Sequence, residues 1–167
     1  MAQGAIDAAR AAGAEQYASE PLTAATTSLQ SAHDAVDQRD YVLALSRAVE
    51  ARQQANEAAK RAADGKARTR SESEAAIAAA ATALRELQQK LKVANAANVG
   101  AKNLRPASET ARKADAALQE ARAAVEDGHY LEAGVALGAT RTRISEAIRG
   151  LDAALAARSG RGARRRR

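Results

Sequence analysis

The apolar residues of this chain recur at steps of three and four, and most of them are alanine. Leu22, Ala25, Leu29, Ala32 and Val36 draw one such stripe; Ile77, Ala80, Leu84, Leu87, Leu91 and Ala94 draw another. That spacing is the period of α-helices packed at a shallow angle. Phe, Trp and Cys are absent, and the aromatic residues are Tyr17, Tyr41 and Tyr130 alone. A β-sheet built on branched and aromatic side chains is not expected here. Alanine favours helix but buries little area, so each turn gains little hydrophobic free energy. The expected fold is therefore all-α: elongated antiparallel helical hairpins, stabilised by long, close helix pairs rather than by a bulky core.

An internal echo adds a second constraint. The stretch from Asp40 to Lys60, DYVLALSRAVEARQQANEAAK, returns 89 residues later as HYLEAGVALGATRTRISEAIR. Because alanine-rich helices align by chance at almost any offset, the test lies in the other residues. Ser19 falls on Ser108, Glu20 on Glu109, Leu29 on Leu118, Gln30 on Gln119 and Val36 on Val125; Tyr41, Arg52 and Glu57 fall on Tyr130, Arg141 and Glu146. One ungapped register carries all of these matches, which reads as a tandem repeat. A period of 89 is far from that of tetratricopeptide repeats.

Taken in order, the chain predicts a first helix over residues 4–17, Ser19 as the next N-cap, and Pro21 in a first turn where its missing N–H is harmless. Gln38-Arg39-Asp40 is a turn short enough to force antiparallel neighbours, with Asp40 as N-cap of the following helix. That helix presents Tyr41, Leu45, Ala48, Ala55, Ala59 and Ala62, with Ala44, Ala51 and Ala58 beside them. Arg52 interrupts the stripe, as Arg141 does in the second copy; each is expected to lay its stem over the seam and pair with a carboxylate of the neighbouring helix. Asp64-Gly65 and the capping-box pattern Ser71-x-x-Glu74 predict a kink or restart within 64–71. The alternative is one unbroken helix from Tyr41 to Ala101, roughly 90 Å long at 1.5 Å per residue. The next helix frays around Asn95, Asn98 and Gly100. Pro106 opens the second copy's stripe of Ala111, Ala114, Leu118, Ala121 and Val125, and Asp127-Gly128-His129 is the second turn. The last helix runs from Tyr130 to about Ala157, with Leu137, Ile144, Ile148, Leu151 and Leu155 as its seam. The tyrosines, all at junctions, are expected to cap the alanine core. The organisation is a first helical repeat over 1–66, a second with a longer leading helix over 67–157, and an arginine-rich tail over 158–167 without order of its own.

Net charge is +6, and the tail accounts for it. Arg158, Arg161, Arg164, Arg165, Arg166 and Arg167 stand there with no acidic residue, and removing these six from the 26 basic groups leaves 20, equal to the 20 acidic ones. Attraction for nucleic acid or an anionic membrane is thus expected in these six residues. No aromatic residue interleaves them, so such contact reads phosphate rather than bases. Catalytic, metal and cofactor sites are not expected. His33 and His129 have no second nitrogen or thiolate ligand at helical spacing, and His129 takes the turn position of Asp40. No P-loop or dinucleotide fingerprint is present. No apolar run approaches the length of a membrane span, and the opening MAQGAIDAAR has no hydrophobic signal segment.

The run from Ala8 to Leu22, AARAAGAEQYASEPL, followed by Asp40-Tyr41 and an Ala/Glu/Arg helix, resembles an alanine-rich helical domain of unassigned function found in bacterial envelope lipoproteins. That family reads Ala-Arg-x-Ala-Gly-Ala, then Tyr-Ala-Pro-Glu, then Gly-Asp-Tyr before a long helix; here Ser19 stands for the proline and Arg39 for the glycine. The resemblance covers about residues 5–62 and, weakly, the second copy. It implies a non-catalytic scaffold or spacer of the cell envelope or periplasm, if a leader has been removed, acting by protein contacts or self-association through apolar helix seams. Otherwise a cytoplasmic location is expected. The alternative expectation is an architectural protein that grips nucleic-acid phosphates through its arginine tail without regard to sequence.

Overall fold

The computed structural model describes residues 1–164, with side chains as far as Ser159. The described chain is helical throughout: α1 (Ala2–Ala11), α2 (Ala14–Tyr17), α3 (Ser19–Asp37), α4 (Tyr41–Ala96), α5 (Ala101–Glu126) and α6 (Tyr130–Arg164). Two compact units divide between Thr69 and Arg70, inside α4.

The first unit packs α1, α2 and α3 on the opening turns of α4. Ile6, Ala9, Ala14, Ala18, Leu22 and Ala25 meet Ala55, Ala58 and Ala62 in one core. A hydroxyl also enters the α3–α4 seam, where Ser28 donates to Gln54 Oε1 at 2.9 Å. The buried row of α3 is Leu22, Ala25, Ser28, Ala32 and Ala35, rotated from the expected stripe so that Val36 is largely exposed. On α4 the buried row is Ala44, Ala51, Ala55, Ala58 and Ala62. Tyr41 and Leu45, expected in that seam, face out. Small side chains let two backbones approach closely, and that gain selects the alanine row over the bulkier one beside it. Arg52 and Arg141 are exposed rather than laid over the seam, and among the described residues neither takes part in an ion pair.

The second unit packs the last turns of α4 on the α5–α6 hairpin. Its core holds Leu84, Leu87, Leu118, Leu137, Ile144 and Leu151 among alanines. Ser73, near the start of this layer, is buried and donates its hydroxyl to the Tyr130 carbonyl at 2.6 Å. Further along, Lys90 pairs with Asp152, so α4 and α6 run parallel with α5 between them in sequence and opposite in direction.

The two hairpin turns are built alike, bond for bond. Arg39 (φ 64°) and Gly128 (φ 85°) adopt the left-handed conformation that ends a helix. Asp40 N–H donates to the Ala35 carbonyl at 2.9 Å and His129 N–H to that of Ala124 at 2.7 Å; Arg39 N–H donates to Val36 and Gly128 N–H to Val125. Each pair of positions is 89 apart. Asp40 serves as expected, its carboxylate accepting the Leu43 N–H at 3.0 Å.

Several boundaries differ from expectation. Of the two readings of 64–71, the unbroken helix is the one found, ending at Ala96 rather than Ala101, and the kink or restart is not: Glu74 pairs with Arg70 at 2.8 Å instead of capping at Ser71. Gly65 has another role, because a Cβ there would lie 3.1 Å from the Tyr17 Cβ; the glycine admits α2 rather than ending α4. The expected first helix is instead two, broken by Gly13 at φ 88°. α3 takes Ala18 as its cap, with Ser19 already helical. α5 begins at Ala101, five residues before Pro106, and the residue whose carbonyl loses its donor there, Lys102, is exposed to water. α4 ends sharply, with Asn98 at φ 52° and Val99 N–H returning to the Ala94 carbonyl. α6 continues past Ala157 to Arg164, since alanine and arginine favour helix and no proline or left-handed glycine stops it.

Candidate functional site

The arginines of the C-terminal segment are singled out by their charge. Arg158 is exposed on α6, and Arg161 and Arg164 lie within the same helix. Arg165, Arg166 and Arg167 lie outside the described residues. The first three thus lie on one helix.

Each hairpin carries a groove between its two helices. In the second unit a cleft of about 400 Å³ is lined by Pro106, Glu109, Thr110, Lys113, Thr140 and Arg143. In the first, one of about 380 Å³ is lined by Glu20, Pro21, Ala24, Gln54, Glu57 and Arg61. Glu20 and Glu109, Pro21 and Thr110, Ala24 and Lys113, and Gln54 and Arg143 are again 89 apart. These grooves hold ordinary surface pairs. The Arg61 guanidinium hydrogen-bonds Glu57 at 2.8 Å, and that bond, then its charge, holds the Glu57 carboxyl below its usual value. Glu74 raises Arg70 in the same way through a hydrogen bond and then its charge. Both pairs lie at the solvent-exposed surface, and neither arrangement orients a nucleophile or a general base toward a reacting atom.

His33 is exposed on α3, and His129 sits in the α5–α6 turn with its N–H bonded to Ala124. Among the described residues no three His, Asp or Glu side chains gather to hold a metal ion, and no helix is long and apolar enough to cross a membrane.

The surface that departs most from a solvated helix is the tip of the first hairpin. Tyr41 is 67% exposed, Val42 83% and Leu45 68%, with Val36 and Val49 beside them. On α4 the positions 41, 42, 45 and 49 share one face, about a third of a turn from the buried alanine row. The sequence carried a signal for this face: at the 89-residue spacing Leu45 and Val49 become Gly134 and Gly138, so the two hairpins differ in bulk at just these places. Reading Tyr41 and Leu45 as core hid it.

No family model, curated protein or solved structure matches this chain.

Proposed function

We propose that this chain is a non-catalytic helical scaffold or spacer of the bacterial cell envelope, working through protein contacts at its first hairpin. The observation that carries the reading is the exposed apolar face of Tyr41, Val42, Leu45 and Val49, on a chain whose polar surface is otherwise made of ordinary helix pairs. A contiguous apolar face of this kind on a soluble surface marks a contact with another macromolecule. The envelope location rests on the resemblance over Ala8–Leu22 and Asp40-Tyr41. The matching turn bonds, buried rows and grooves at a spacing of 89 support a duplicated ancestral hairpin. Fractionation of the native host, combined with a photoreactive side chain at position 42, tests the reading. Envelope enrichment and crosslinks from position 42, absent from an exposed polar site such as Glu86, are expected; a cytoplasmic chain without crosslinks contradicts it.

A second reading is favoured by one specific observation, the six arginines without an acidic neighbour from Arg158 onward. In it the chain is an architectural protein that holds nucleic-acid phosphates through this segment. Binding to random duplex DNA that is lost on truncation to residues 1–157 and weakened by salt is its expected outcome. Binding to anionic vesicles alone would move the segment's role to a membrane surface.

A further inference from the structure

We propose that the chain forms a twofold homodimer in which the α4 face from Tyr41 to Val49 packs antiparallel on the same face of a second copy. The inference rests on the scaffold reading and names the partner of its working surface.

The second unit shows what the equivalent face does when covered. Tyr130, the counterpart of Tyr41, is half-buried and its carbonyl holds the Ser73 hydroxyl; a Cβ on Gly134, the counterpart of Leu45, would lie 3.7 Å from that same oxygen. The Ser73 turn of α4 therefore lies on the Tyr130–Gly134 part of this face there, while Leu131 and Gly138 stay exposed. In the first unit α1 and α2 cover the seam near Ala55, Ala58, Ala62 and Gly65, and the three turns above it have no such layer.

Bulk then narrows the occupant. Glycine at 134 lets the Ser73 turn of α4 approach closely, whereas Leu45 at the equivalent place holds a partner further off and, with Val49, requires an apolar surface with gaps between large side chains. The same face of a second copy provides that surface. Centred on Leu45, an antiparallel pair sets Leu45 against Leu45, Tyr41 against Val49 and Val42 at the level of Ala48, and two hairpin tips complete a four-helix bundle.

Charge selects the direction. A parallel pair would set Arg52 beside Arg52. The antiparallel pair instead brings Arg52, which among the described residues has no ion pair, to the level of Asp37 and Asp40 at the partner's turn. The exposed apolar patch is on the order of 500 Å² per copy, at the upper end of what an unpartnered monomer shows. With a polar rim it approaches the roughly 800 Å² per partner of a stable interface.

Sedimentation velocity of the full chain from low to high micromolar concentration is the test. Dimer is expected, with Val42→Glu and Leu45→Glu each weakening it about tenfold or more while helical content stays unchanged. Arg52→Asp should weaken it as well, and adding Asp37→Arg to that variant should restore it. Because the chain has no cysteine, Leu45→Cys can form a disulfide only between two copies. It is expected to oxidise to covalent dimer much faster than Val135→Cys, which is 79% exposed in the second unit. A monomer throughout the range, a dimer indifferent to both glutamates, or equal oxidation of the two cysteine variants would overturn the proposal. A monomeric chain that still crosslinks from position 42 to another envelope protein defeats the dimer and leaves the scaffold; a dimer found only in the cytoplasm does the reverse.

Discussion

At the scale of single residues, backbone conformation separates positions that look alike in the sequence. Arg39 holds φ 64° where Gly128 does the same work at φ 85°. A side chain in that region is strained, so Arg39→Gly should stabilise the protein by about 1 kcal/mol in urea denaturation. The two helical glycines Gly65 and Gly150 should diverge. Nothing lies within 4 Å of a Cβ at Gly150, while one at Gly65 meets Tyr17 at 3.1 Å. Gly150→Ala should therefore gain roughly 0.5–1 kcal/mol of helix propensity, and Gly65→Ala should fall short of that gain. For Glu57, the Arg61 guanidinium holds the carboxyl below its usual value in the folded chain, so its contribution is complete above the ordinary carboxylate range and is lost as pH falls through the depressed folded value. Glu57→Gln should flatten the acid side of the stability profile slightly and leave neutral pH nearly unchanged, since the pair is exposed and screened. Asp40 was legible as a cap because its chemistry is local. The left-handed Arg39 was not, since arginine gives no sign of positive φ and only its position relative to Gly128 betrays it.

At the scale of elements, the helical period fixed the existence of every long helix and the antiparallel turns, but not which of two adjacent stripes is buried. On α4 the rows through Tyr41-Leu45 and Ala44-Ala51 lie side by side, and hydrophobicity alone favours the bulkier one. Close backbone packing favours the other, and packing is a property of two helices rather than of one. The same limit explains the unbroken α4: Asp64-Gly65 looks like a stop until Tyr17 is seen to need the space. A pair of truncations measures the distinction. Leu137→Ala, in a fully buried seam of α6, should cost roughly 2–5 kcal/mol. Leu45→Ala, on the exposed row, should change the stability of the monomer by no more than about 0.5 kcal/mol.

At the scale of the whole molecule, the two units differ in the material of their cores. Ile6 is the largest fully buried side chain of the first, whereas Leu87, Leu137, Ile144 and Leu151 are all fully buried in the second. Larger buried side chains contribute more per residue, so amides of α1 and α3 should exchange with solvent before those of α5 and the buried part of α6. The arginine run, readable from composition, gives a charge but no geometry; the hairpin tip gives geometry and was masked by composition. The central claim is that this tip is the surface through which the chain works. Hydrogen exchange at low and high protein concentration tests it most directly. Protection that rises with concentration across residues 36–52, while α5 and α6 stay unchanged, is the predicted result; exchange at the tip that is independent of concentration would contradict the account.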